Sequence, residues 1–180
     1  MNINTTYTKI ITDEDLMETI QHGSNLYPFQ FYYENLSVFD FNCVEWHWHT
    51  ELEFIYIESG TVTLWIGEDQ FNLTEGNGIF INTKVIHRLY SSSKALIPNF
   101  VFMPSFIAPC DSLIYQKYIL PIISYPLPFL IFHKEVYWQA KVLSIMRQII
   151  SAQDSVSSKE LLTSSLLQNL WLEIFENTDI

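Results

Sequence analysis

From Pro28 to about Met103, short apolar and aromatic runs alternate with turn chemistry, and few folds accept that pattern. The runs are too short for helices and are rich in β-branched and aromatic residues, which marks them as strands. We place strands near 29–34, 37–41, 43–49, 53–58, 61–66, 69–73, 78–82, 86–91 and 97–103. Ser59-Gly60, Gly67-Glu68 and Thr74-Glu75-Gly76 punctuate them. Val62, Leu64 and Ile66 alternate with Thr61, Thr63 and Trp65, as a strand with two unlike faces requires. Many short strands joined by tight turns predict a mainly β sandwich or barrel.

The flanks read differently. Residues 13–22 predict a short helix, with Thr12 as N-cap, acidic residues in the first turn and Gly23 past the end. A short helix is expected around Asp111 to Tyr118, followed by a proline-rich apolar stretch. Two amphipathic helices follow, over 135–151 and 158–176, and Ser157-x-x-Glu160 has the form of a capping box for the second. On that second helix Leu162, Leu166, Leu170 and Ile174 form a stripe, with Leu167, Trp171 and Phe175 beside it. Such a face either packs on the barrel or forms a seam between two copies, and its width favours a homodimer through the C-terminal helices. The expected organisation is a barrel with an N-terminal arm or helix over 1–133 and a helical dimerisation appendage over 134–180.

One strand carries candidate chemistry. His47 and His49, spaced i, i+2, share a strand face, Glu53 follows four residues later, and His87 comes from a distant strand. Three imidazoles and a carboxylate suit a divalent ion such as Zn, Fe(II), Ni, Mn or Cu. The same residues also suit the polar floor of a small-molecule pocket. Glu45 shares the parity of His47 and His49, so it is a candidate ligand-binding residue and a candidate for orienting a histidine. Cys43 has that parity too, but a small buried core residue is its simpler role. His22 and His133 fall near predicted helix ends and are expected in solvated caps.

The spacing resembles the cupin family. Its first motif, G-x5-H-x-H-x3,4-E-x6-G, is matched by His47, His49, Glu53 and Gly60, with Phe41 in place of the opening glycine. Its second, G-x5-P-x-G-x2-H-x3-N, is matched by Gly76 and His87, with Asn82, Lys84 and Ser91 at the proline, second glycine and asparagine. The run Glu51 to Gly60, the segment Phe100-Val101-Phe102-Met103-Pro104 and the helical tail are similar to the sensor domains of AraC-type transcription regulators. The resemblance implies a cupin-like jelly-roll barrel followed by C-terminal α-helices. It also implies a small effector bound in the barrel at Glu45, His47, His49, Glu53 and His87, with a divalent metal on His47, His49, Glu53 and His87 as an open alternative use. In that family a helix-turn-helix pair reads DNA and follows about where this sequence stops, so DNA contact is expected only through a domain outside these residues. The competing implication is a free-standing metal-dependent cupin enzyme of oxygenase or isomerase type.

Composition narrows the classes further. Nine Lys plus Arg against twenty Asp plus Glu give a net charge of −11 with no basic cluster, which excludes nucleic-acid binding by this segment itself. With five glycines there is no phosphate-cradling loop or dinucleotide fingerprint, and no nucleophilic triad is present. Two cysteines without a CxxC imply no disulfide framework. The longest apolar stretch, Ile119 to Phe132, is broken by Pro121, Pro126 and Pro128, and residues 1–12 lack the form of a signal peptide. A cytoplasmic protein is the expectation.

Overall fold

A computed structural model describes residues 8–155 and 157–178. Among these residues nine strands form two antiparallel sheets facing each other, with helices on the outside of one. The strands are β1 (Phe29–Asn35), β2 (Cys43–His47), β3 (Leu52–Tyr56), β4 (Thr61–Ile66), β5 (Asp69–Thr74), β6 (Gly78–Ile81), β7 (His87–Tyr90), β8 (Leu96–Phe102) and β9 (Phe129–Phe132). The five-stranded sheet runs β1-β8-β3-β6-β9 and the four-stranded sheet β2-β7-β4-β5. The mainly β, jelly-roll-like architecture with C-terminal helices is as expected.

The period-two rule explains why the five-stranded sheet is lined by different chemistry on its two faces. Along β3, Leu52 and Phe54 point outward, while Glu53 and Ile55 point between the sheets. Along β8, Phe100 and Phe102 point out and Ile97, Asn99 and Val101 point in. Both faces are covered, so from Phe54 onward β3 reads as a continuous apolar run rather than an alternating one. The outward phenyl rings pack across strands: Phe54 stacks on Phe100 at 5.3 Å and lies tilted against Phe80 at 5.0 Å, centroid to centroid.

Helices α2 (Tyr137–Ala152) and α3 (Lys159–Asn177) cover this aromatic face. Val142, Leu143, Met146 and Ile149 of α2 and Leu167, Leu170, Trp171 and Ile174 of α3 join Phe54, Phe80 and Phe132 in one core. Trp171 meets the edge of Phe80 at 6.0 Å, and its indole N–H donates to the Tyr118 carbonyl at 2.8 Å. The predicted stripe is therefore largely spent inside the molecule. Leu166, Leu170 and Ile174 are buried, while Leu162 stays partly exposed and Leu161 and Leu172 are exposed beside it.

Four local expectations are corrected. Residues 13–22 form no helix. The Asp13 carboxylate accepts the N–H groups of Asp15 and Met17, and Leu16 takes φ 65°. The arm then makes strand-like contacts with the segment beyond β2, where Glu18 N–H donates to Trp48 and Trp48 N–H to Leu16. One ten-residue helix without a packed face is marginal, and these pairings replace it. Residues 37–41 are not a strand but part of two 3-10 turns, Leu36–Val38 and Asp40–Asn42, because Asn35 caps Ser37 and Phe41 and Asn42 turn left-handed. The Ser157 capping box does not form; Ser158 is the N-cap and makes no side-chain cap bond. The helix expected near 111–118 is instead a π-helical segment, Tyr115–Ile119, that runs into α1 (Leu120–Ser124), and the proline-rich stretch yields an unanticipated edge strand, β9, paired to β6.

Two motif positions are instructive. Phe41 stands where the cupin pattern has glycine and has φ 57°; Lys84 stands at the second such position and has φ 59°. The turns kept the left-handed backbone that glycine favours, although the side chains changed.

Candidate functional site

Strand pairing assembles the histidines. His47 on β2 is opposite His87 on β7, and their rings lie 4.1 Å apart. His49 follows just past β2, and Glu53 reaches in from β3 on the facing sheet. All four side chains are buried. The nitrogens of His47, His49 and His87 lie within 4.8 Å of one another.

Each ring is held by its own main chain. Nδ1–H of His47 donates to the Glu45 carbonyl at 2.8 Å, that of His87 to Val85 at 2.9 Å and that of His49 to Glu51 at 3.2 Å. A carbonyl can only accept, so each Nδ1 carries a proton, and the Nε2 lone pairs of His47 and His87 remain available, while His49 Nε2 is within hydrogen-bond distance of the Glu53 carboxylate. Glu53 Oε2 lies 3.3 Å from His49 Nε2 and 3.1 Å from His87 Nε2. Yet His87 Nε2, fully buried, has no aligned hydrogen-bond partner. The 3.1 Å contact is thus proximity without a hydrogen bond. Lone pairs converging on one carboxylate are relieved by a shared proton or a cation, and the donor set fits a divalent ion.

The electrostatics agree with that crowding. Burial, followed by the neighbouring His87, holds His47 well below its usual range, so it stays neutral. Burial also opposes charge on His49, but contact with Glu53 outweighs it and raises the imidazole. Burial pushes against ionisation of Glu53, whereas His49 and His87 overcome this and hold the carboxyl well below its ordinary value.

Glu45 is corrected. A register shift between Val44 and His47 reverses the alternation, so Val44 and His47 face the cavity and Glu45 faces out. Its carboxylate pairs with Arg88 at 3.0 Å, and only its carbonyl serves the site, by orienting His47. Cys43 is buried off the cavity beside Glu45 and Arg88, its thiol pushed up to about 11 chiefly by burial.

Sequence reasoning missed the other half of the cavity. His22 is no solvated cap: it is buried, bonds Tyr32 Oη at 2.9 Å and Glu18 at 3.2 Å, and packs against His49. Tyr32 and Glu34 project inward from β1, and Asn99 Nδ2 donates to Glu34 at 2.9 Å. The alternation of Tyr32 and Glu34 and the four-residue spacing of Glu18 and His22 were the available signals. His133 is exposed, as expected. Together these groups enclose a cavity of about 30 Å³, room for a water or two, walled by the arm and both sheets.

With the geometry in place, comparison with known proteins is informative. Residues 39–171 match the AraC-like ligand binding domain. The chain is 23% identical over 172 residues to an uncharacterized HTH-type transcriptional regulator, YdeC, of Bacillus subtilis strain 168. That alignment takes in 93% of this chain but 58% of the relative, so the chain spans little more than half of that protein's length. Apo ToxT from Vibrio cholerae, solved as a single-residue variant, superposes with a TM-score of 0.59 at 11% identity, over 87% of this chain and 58% of that one. This last likeness is one of fold. No helix among the described residues is long and apolar enough to cross a membrane.

Proposed function

Because the chain belongs to the family of AraC-like ligand-binding domains, we propose that it is the effector-sensing part of a cytoplasmic transcription regulator, with DNA read by helices outside these residues. The observation that carries this reading is the buried polar cavity between arm and sheets, inside the matched region. The net charge of −11 supports the assignment of DNA contact to another part of the protein. The HTH-type relative, much of whose length lies outside the alignment, supports it too.

His47, His49, Glu53 and His87 would hold a divalent ion (Zn, Ni, Fe or Mn), which would offer an open coordination position to the effector. We place the homodimer contact on the outer side of α3, where Leu161, Leu162 and Leu172 remain exposed. The experiment is a thermal-shift screen of small metabolites, repeated on Asn99→Ala and His49→Ala. An effector should stabilise the wild type and lose its effect in both variants. Equal stabilisation of all three proteins would move the binding site out of the cavity.

One observation favours a second reading, a metal-dependent cupin enzyme: the convergence of three imidazoles, two of them with Nε2 beside Glu53. The cavity is water-sized while the arm is seated, which limits a substrate and an effector alike.

A further inference from the structure

One residue, Trp48, separates His47 from His49, and the arm grips it. Strand β2 ends at His47, so Trp48 and His49 lie past the last pair of their sheet. There the arm takes the place of a neighbouring strand. Trp48 N–H donates to the Leu16 carbonyl at 3.0 Å, and the Trp48 carbonyl accepts from Glu18 N–H at 2.9 Å. The Trp48 indole N–H donates to the Asp15 carbonyl at 2.8 Å. On the cavity side His22 of the same arm lays its ring against that of His49, 5.6 Å between centroids. Glu18 and Tyr32 fix His22 in turn. The barrel adds the bond from Lys84 N–H to the His49 carbonyl at 2.8 Å. His49 is therefore placed from outside by three bonds to its neighbour and from inside by a ring contact, and the arm supplies them all.

What the seated arm encloses is small. The cavity of about 30 Å³ holds a water or two, against the roughly 300–1,000 Å³ of pockets that take drug-sized ligands. It has room for an ion with a water, and none for a carbon skeleton. The groups that meet there suit an ion as well. Ligand nitrogens of His47, His49 and His87 lie within 4.8 Å of one another, and His87 Nε2, fully buried, has no hydrogen-bond partner. A buried acceptor left unpaired is destabilising until something completes it. An organic effector would have to unseat the arm to enter, whereas an ion lets the arm close.

We propose that a divalent metal ion is itself the signal this domain reads, and that Trp48 and His22 link the seating of the arm to the occupancy of His47, His49 and His87. This deepens the sensor reading and rests on it, with the ion in place of an organic effector. Linkage is reciprocal: the factor by which a seated arm tightens the ion equals the factor by which the ion tightens the arm. The outer side of the arm, Asp13 to Leu16, is exposed, so its seating is open to other parts of a regulator.

The test titrates Zn(II) into the intact chain after chelator treatment. Hydrogen exchange at the Glu18 and Trp48 amides follows the arm, and competition with a chromophoric chelator gives the Zn affinity. Zn should slow exchange at both amides about tenfold. Asp13 is exposed at the turn of the arm, where its carboxylate accepts the Asp15 and Met17 N–H groups. Asp13→Ala should therefore loosen the arm and weaken Zn about fivefold, with the melting temperature of the metal-free barrel unchanged. His22→Ala should weaken Zn by a similar factor, and His22→Phe, which keeps a ring against His49, should recover part of it. Should the His22 variants differ from wild type by circular dichroism, Asp13→Ala decides alone. Zn binding that leaves the two amides unchanged, or an affinity untouched by Asp13→Ala, would overturn the link to the arm and leave the sensor reading standing. Failure of Zn, Ni, Mn and Fe(II) alike to bind at millimolar concentration would overturn the ion as signal, and the metabolite screen would then decide the sensor reading by itself. A metabolite that binds the metal-free protein and speeds exchange at both amides would also overturn the ion, while upholding the sensor.

Discussion

Replacing Phe41 by glycine should stabilise the protein, although it deletes a large apolar side chain. Phe41 is 89% exposed, so almost no buried contact is lost. Its φ of 57° places an L-residue in the left-handed region, at about 1–2 kcal/mol. Glycine removes that cost and introduces its own backbone entropy penalty of about 0.5–1 kcal/mol. The difference is a gain of up to about 1.5 kcal/mol, with a midpoint near 0.75 kcal/mol, or about 1.5–3 °C in melting temperature at that midpoint for a chain of this size. Lys84, exposed and at φ 59°, should behave alike, since its N–H bond to the His49 carbonyl belongs to the main chain and survives the change. The two changes share no hydrogen bond and should add. Differential scanning calorimetry measures each variant beside Phe41→Ala, which deletes the ring but keeps the strain. If Phe41→Ala stabilises as much as Phe41→Gly, removal of exposed apolar surface is the cause and the conformational argument fails. A fall in melting temperature for Phe41→Gly would refute it directly.

Leu170→Ala should cost about 2–5 kcal/mol by chemical denaturation, because the side chain is fully buried in the core shared by α3 and the aromatic sheet face. Glutamates at Leu166 and Leu170 together should unfold the barrel along with the helices, visible as loss of β-sheet circular dichroism; a folded monomer would contradict the shared core. Elemental analysis after exposure to Zn should find about one equivalent bound. His87→Ala should abolish this and Glu45→Gln should leave it unchanged, since Glu45 faces outward. Acidification should release the ion as protons compete for Nε2, and retention well below the ordinary imidazole range would count against histidine ligation. Isolated residues 1–180 should show no sequence-selective DNA affinity at physiological salt, as judged by fluorescence anisotropy.

The long amphipathic helices and most strands were legible because periodicity sums over many residues. The four motif positions were legible because their spacing is fixed by strand geometry. Glu45 was misplaced because a parity argument assumes an unbroken strand, and the register shift after Val44 has no local sequence signature. The arm was misread for a related reason: acidic residues before Gly23 imitate a helix start, whereas the outcome is set by pairing with Trp48, far along the chain. With the arm misread, His22 and Glu18 were lost from the site. The stripe on α3 was real, but periodicity does not say what covers a face, and the phenyl rings of β3, β6 and β8 had first claim on it.

Glu53 and Phe54 are consecutive residues with opposite surroundings. One touches the imidazoles, and the other packs against Phe80 and Phe100 beneath the helices. The partition between the polar interior and the helical layer is thus a single thickness of main chain at β3, hydrogen-bonded on both edges by β6 and β8. A carboxylate drawn toward a cation on one side carries with it the backbone that seats a phenyl ring on the other. Occupancy of the interior and the seating of α2 and α3 therefore share one mechanical member.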